Sequence, residues 1–236
     1  MRTNQKVAQV GCDCHRMFSR ITARDDDGRI IRRQRLEHGD RVKLREQLSG
    51  WPKGTPVILE GTFGWGWMSD ELLAAGLDPH LAGSTKIAAW RKARGLAKSD
   101  RLDADLLSEL WTQQPRWWEV WLAPPEVRDQ REWLRYRMSL VKTQTAVKNR
   151  IHAVLHRHGL IHEFSDLFGV AGRSYLSSLI VAHDVRLPES GRLTLKGHLQ
   201  LLDQLRRQIA SATRAFRKQV LASSTAMRLR SRASAH

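Results

Sequence analysis

"VAQVGCDCH", Val7 to His15, is the stretch whose reading decides the fold. It has the apolar content and length of a β-strand, bounded by polar residues on both sides. Side chains alternate along a strand, so Val10, Cys12 and Cys14 share one face while Asp13 and His15 take the other. The two cysteines, the only ones in the chain, then act as small core residues and not as a disulfide framework. An aspartate inside an otherwise apolar first strand is disfavoured by strand propensity and by burial, so it needs a reason.

The neighbouring sequence continues as sheet. "MFSRITARD" reads as a second strand, "DDDG" (Asp25 to Gly28) as turn chemistry, and "RIIRRQRLE" as a third strand, which makes an antiparallel meander. "DDDG" has the wrong spacing for a calcium loop. A helix is expected over Asp40 to Leu48. "PVILE" (Pro56 to Glu60) is a short, continuous apolar run, as in a central strand buried on both faces. Its last residue, Glu60, opens onto the loop "GTFGWGW", where sites of α/β folds commonly lie. Those glycines do not form a dinucleotide-binding fingerprint. Helices follow over Ser69 to Ala75, Thr85 to Ala93 and Asp100 to Trp111, with a short strand near His80.

The last of these helices begins in "KSDRLDADLL" (Lys98 to Leu107). Asp100 and Asp103, three apart, lie on one helix face, and Asp105 points elsewhere. Taken alone, "DRLD" reads as an N-cap with a favourable first-turn charge. Counted with Asp13 and Glu60, it completes four carboxylates able to converge. Hard oxygen donors in that number suit Mg²⁺ or Mn²⁺, and two such ions can clamp the attacking and leaving oxygens of a phosphodiester displacement.

The rest of the chain differs in character. The 236 residues carry 40 Lys and Arg against 24 Asp and Glu, a net charge of +16, which favours a polyanionic partner such as DNA. Residues 1–123 hold 20 basic and 16 acidic side chains, and 124–236 hold 20 and 8, so most of the field belongs to the second part. There Pro124 and Pro125 start a helix running to His158, ended by Gly159, about 50 Å long. Its apolar stripe shifts between Val141 and Val147, which implies a change of packing partner along its length. A second helix over Thr194 to Leu221 keeps alternating 3-4 spacing at Leu202, Leu205, Ile209, Ala212 and Phe216. The two are read as a coiled-coil hairpin that also serves a homo-oligomer. From Trp133 to His162 there are six Lys and Arg, four His and no acid. Arg135, Arg137, Lys142, Lys148, Arg150 and Arg157 are therefore the expected nucleic-acid contacts, against the plainer reading of a solvated face. His152 and His156, four apart, lack a third zinc ligand. Trp65, Trp67, Trp111, Trp117, Trp118 and Trp121 are read as core or interface. No apolar run approaches a membrane span and the N-terminus has no signal-peptide core, so a cytoplasmic protein without membrane contact is expected.

"VGCDCH", "VILEGT" and "KSDRLDADLL", followed by "PPEVRDQREWLRYRMSLVKTQTAVKNRIHAVLHRHG", resemble the DEDD transposases of the bacterial IS110 insertion sequences over about residues 7–160. The order and spacing of the four acids agree with that family. The resemblance implies an α/β, RNase H-like fold of the RuvC type, a mixed sheet with flanking helices, followed by the helical coiled-coil hairpin. It implies Mg²⁺-dependent DNA recombination at a tetrad of Asp13, Glu60, Asp100 and Asp103, and a structured guide RNA as a further partner. The expected organisation is a RuvC-like domain over 1–123, a coiled-coil region over 124–221 and a basic, disordered tail over 222–236. Family members continue into a domain with a Pro-Gly-Ile-Gly-like segment and a serine nucleophile, which "ASSTAMRLRSRASAH" does not match. The sequence is accordingly read as a truncated copy in which complete recombination is not expected. A non-catalytic nucleic-acid-binding remnant and a RuvC-like nuclease are the alternatives.

Overall fold

The strands β1 (Gln9–Cys14), β2 (Phe18–Arg24), β3 (Ile30–Glu37), β4 (Pro56–Glu60), β5 (Asp78–Ala82) and β6 (Glu119–Val120) form one mixed sheet in the order β3-β2-β1-β4-β5-β6. In this computed structural model, residues 7–96, 100–182 and 185–233 are described, with side chains for all of them except 100–102 and 221–233. Two compact units result, Met1–Pro125 and Glu126–His236. β1, β2 and β3 pair antiparallel as the expected meander, β1, β4 and β5 pair in parallel, and β6 closes the edge antiparallel to β5. Three parallel central strands beside an antiparallel meander, with helices on both faces, is the RNase H-like arrangement.

The two faces of the sheet carry two cores. Val10, Cys12 and Cys14 point to one face, with Ile21, Leu36, Val57 and Leu59. There α1 (Arg41–Ser49) contributes Leu44 and Leu48, and α2 (Trp65–Ala74) contributes Met68 and Leu72. Ile58 and Ala82 point to the other face, where they meet Ile87 of α3 (Ser84–Ala93), Leu107 of α4 (Asp100–Glu109), Leu110 and Trp118. Asp40, expected as the first helical residue, instead caps α1, accepting a hydrogen bond from the Lys43 amide at 3.0 Å.

Several boundaries differ from the sequence reading. α2 starts at Trp65, four residues before Ser69, because Gly64 takes a left-handed conformation (φ 83°) and turns the chain into the helix without the loop expected there. α4 ends at Glu109 and tightens into a 3-10 turn, Leu110–Thr112. β6 has only two residues, too few for a periodic signal.

The second unit is helical: α5 (Pro125–Arg157), α6 (Val170–Val181) and α7 (Glu189–Ala233). α6 falls where no helix was expected. Gly159 (φ 63°) ends α5, and the Leu160 amide donates back to the Leu155 carbonyl at 2.9 Å. Val147, Ile151, Val154 and Leu155 of α5 share one core with Leu176 of α6 and with Leu195, Leu199, Leu202 and Leu205 of α7. Leu134 and Met138, in the first half of α5, stay exposed, so the shift of the apolar stripe marks where packing inside this unit begins. α7 is helical past Leu221 to Ala233, through most of the expected disordered tail. Residues 222–233 contain neither Pro nor Gly and are rich in Ala, Met, Leu and Arg, all good helix formers.

Candidate active site

The sheet places the first two acids. β1 pairs β4 in parallel with Gly11 opposite Ile58 and Cys12 opposite Leu59. One more step in that register sets Asp13 beside Glu60, on adjacent strands about 4.8 Å apart and on one face. The alternation expected of β1 holds: Cys12 and Cys14 are buried in the opposite core, and burial raises both thiols above their ordinary pKa. Asp13 is only 7% exposed, and its Oδ2 lies 3.0 Å from Nε2 of His15.

Asp103 arrives from the other side of the cleft, and Gly11 decides how close it comes. A Cβ at Gly11 would lie 2.3 Å from both the Ala104 carbonyl oxygen and the Ser108 nitrogen. Only bare backbone lets α4 cross β1 at this separation. The helix therefore carries Asp103, one residue before Ala104, to the end of the strand that holds Asp13. Asp103 is 5% exposed and forms an ion pair at 2.9 Å with Nη2 of Arg91, itself nearly buried on α3. Asp13, Glu60 and Asp103 line one cleft of about 700 Å³ together with His15, Thr85 and Arg91. Asp100 opens α4 three residues earlier, and its side chain lies outside the described residues. Among the described residues no three or more His, Cys, Asp and Glu close into a ready ligand set. The donor chemistry is nevertheless that of a hard cation: three carboxylates at one cleft, two of them buried.

Residues 10–159 match the DEDD family of IS110 transposases. The chain belongs to this family. A comparison with curated proteins finds no match. Among the described residues no helix is long and apolar enough to cross a membrane.

In this IS110-family chain the third acid of "DRLDAD" has a separate task. Asp105 faces β2 and β3, where its Oδ1 accepts from Thr22 at 2.7 Å and from Arg33 Nε at 3.0 Å, and its Oδ2 accepts from Arg33 Nη2 at 2.8 Å. Burial alone would raise this carboxyl, but the hydrogen bonds from Arg33 and Thr22 outweigh it and hold the pKa below the usual carboxylate value. Arg24 adds a second clamp, donating to Ser108 Oγ at 2.8 Å and to Glu109 Oε1 at 3.1 Å. Gln9 donates to the Ser108 carbonyl at 2.9 Å. The C-terminal half of α4 is thus fastened to the meander, while its N-terminal half presents Asp103 to the cleft.

The basic residues expected on α5 fall into two groups. Arg135, Lys142, Arg150 and Arg157 are exposed. Arg137 is half-buried and donates to Thr213 Oγ1 at 3.0 Å, and Lys148 lies 5.0 Å from the centre of the Phe168 ring. His152 packs against the rings of His162 and Phe168. Of the tryptophans read as core or interface, Trp118 is fully buried, whereas Trp121 is 62% exposed.

Sequence reading passed over Gly11 and Arg91. A glycine inside a strand is a signal for close backbone approach and was available in "VGCDC". Arg91 could be found only as the end of an i, i+4, i+7 stripe with Ser84 and Ala88, three residues of α3 that face the cleft.

Proposed function

We propose that this chain carries the acid site of an insertion-sequence transposase, at which DNA strands are cleaved and transferred, with Asp13, Glu60, Asp100 and Asp103 holding Mg²⁺, or Mn²⁺ in its place. The observation that carries this reading is the convergence of Asp13, Glu60 and Asp103 on one cleft in a chain of a transposase family. A divalent ion held there would supply Lewis-acid stabilisation of the charge that develops on phosphodiester oxygens. The chain's own residues prepare the place for it. Parallel pairing of β1 and β4 fixes Asp13 and Glu60 side by side, Gly11 admits α4, and the Asp105 and Arg24 clamps hold that helix in register. Arg91 offsets the charge of buried Asp103, and His15 orients Asp13 through its ring nitrogen.

The exposed cations of α5 hold the nucleic-acid backbone, DNA or a structured guide RNA, through contacts that do not read sequence. Exposed Leu134 and Met138, one turn apart on α5, support assembly with a second copy of the chain through the long helices. The protein acts in the cytoplasm, where its DNA lies.

The test is Mn²⁺ binding by the purified chain, followed by the loss of the free-ion electron-spin-resonance signal. The wild type is expected to bind, Asp13→Asn and Asp103→Asn to lose the site, and both variants to keep their affinity for DNA within about twofold, since backbone contacts elsewhere dominate it. A wild-type chain that binds DNA but no Mn²⁺ would leave only a non-catalytic nucleic-acid-binding function.

A further inference from the structure

Immediately beside the acids, on the same sheet face, the chain gathers cations. In the antiparallel register Asp13 stands opposite Arg20, and Arg20 opposite Arg35. Carried into β4, the row reads Glu60, Asp13, Arg20, Arg35, two acids followed by two bases across four adjacent strands. A hollow of about 270 Å³ opens over the basic end, lined by Arg20, Thr22, Arg33, Arg35 and, from α4, Ala104. Its border with the acid cleft is the Asp13–Arg20 cross-strand pair, and Ala104 directly follows Asp103.

The charges in this hollow are unevenly matched. Arg33 is committed to Asp105. Among the described residues Arg35 donates through its Nε alone, to Glu37 at 2.6 Å. The Nε of Arg20 is buried and has no hydrogen-bond partner among the described residues. Phe18 orients both free ends, with the Arg35 guanidinium 3.8 Å and the Arg20 guanidinium 5.7 Å from its ring centre. A face of a guanidinium against an aromatic ring leaves its N–H edge for an anion. Asp105 and Glu37 each answer one of the three guanidiniums, so the excess positive charge at the cavity sits at Arg20, and a fork of N–H donors matches phosphate oxygens.

We propose that this hollow is a phosphate seat for one DNA strand, in which Arg20 and Arg35 grip the backbone next to the phosphodiester that lies at the acids. The volume suits a single phosphate with its sugar and not a groove-spanning contact. The spacing agrees, because Asp13 to Arg35 covers two strand separations, roughly 10 Å, and a DNA strand rises about 3.4 Å per nucleotide. The seat therefore lies within about three nucleotides of the acids. The proposal rests on the metal reading above only for the identity of the phosphate next door; the grip itself needs no metal.

The experiment uses the full chain with a fluorescent single-stranded DNA oligonucleotide bearing 5-iodouracil, in buffer containing a chelator, titrated at several salt concentrations. Arg20→Gln/Arg35→Gln is expected to lower affinity roughly tenfold or more and to flatten the slope of log K against log salt by about 1.4, two contacts at about 0.7 each. Ultraviolet cross-links to Phe18, read in the peptide that contains it after a chymotryptic digest, are expected in the wild type and lost in the variant. Arg20→Lys/Arg35→Lys, which keeps the charge, controls for folding and is expected to retain most of the slope. Unchanged affinity and slope in the Gln variant, cross-links confined to α5, or binding of the matching RNA strand without the DNA strand would each overturn the proposal. Mn²⁺ binding by the Gln variant separates the two readings. If it stays at the wild-type level while the slope falls, both stand. If wild type itself binds no Mn²⁺ yet the slope still falls, the seat stands and the metal reading fails.

Discussion

At the scale of single residues the site depends on one absent side chain and one misplaced-looking charge. Gly11 has an ordinary strand conformation, so its requirement is space and not backbone freedom. Gly11→Val would drive methyl groups into the backbone of α4 at Ala104 and Ser108. The helix would have to retreat, and a loss of about 3 kcal/mol or more is expected, read as a fall in thermal midpoint together with loss of Mn²⁺ binding. Arg91 poses the opposite problem, a cation set within the acidic cleft. It neutralises Asp103 by an ion pair at 2.9 Å and so competes with any metal for that carboxylate. Arg91→Gln is expected to tighten Mn²⁺ binding roughly tenfold, about 1.4 kcal/mol of relieved competition. Unchanged or weaker Mn²⁺ binding in calorimetry would show that Arg91 supports the ligand set and does not oppose it. Asp13 was legible from sequence because a carboxylate in an apolar strand is locally costly. Arg91 was not, since an arginine near the end of a basic helix is ordinary until its partner is known.

The elements were legible where a period of two or of 3.6 ran long enough to be read. β1 to β4 and α5 follow directly from alternation, a continuous apolar run and helix length, and the place of Asp105 on a different face from Asp103 follows from helix geometry alone. What did not follow was anything set by tertiary contact: the two-residue β6, α6, and the early start of α2 on a left-handed glycine. α4 shows how the two kinds of information combine. Its acid face could be predicted, yet the clamp that holds it is made by Thr22 and Arg33 of β2 and β3, which no local pattern links to it. Asp105→Asn should cost about 1–3 kcal/mol near neutral pH, because it removes a two-pronged charged contact from a largely buried group. The pH dependence has a definite sign. The folded pKa of Asp105 is depressed, so its stabilising effect is fully present above the ordinary carboxylate pKa near 4 and is lost as pH falls through the lower folded value. Denaturant melts of wild type and Asp105→Asn should therefore differ most at pH 6 to 7 and converge toward pH 2. A gap independent of pH would mean that the contact acts through shape and not charge.

For the whole molecule, charge and acid are divided by position in the chain. The net +4 of residues 1–123 against +12 of residues 124–236 places most of the carboxylates in one unit and most of the field in the other. The charge of the helical unit can attract a polyanion from a distance. The structure sorts the six expected cations of α5 by what else they do. Arg135, Lys142, Arg150 and Arg157 are exposed, while Arg137 is tied to Thr213 and Lys148 rests on Phe168. Reversing the first three to Glu should leave the thermal midpoint close to wild type and weaken binding to all DNA sequences alike. The slope of log K against log salt for duplex DNA should fall by about 2.7 if each cation contacts one phosphate, at about 0.9 per contact. Reversing Arg137 and Lys148 should instead lower the thermal midpoint, because those changes break packing within the helical unit. If the triple reversal changes one DNA sequence much more than another, these residues touch base edges, and the division between a unit that holds and a unit that carries the acids would have to be redrawn.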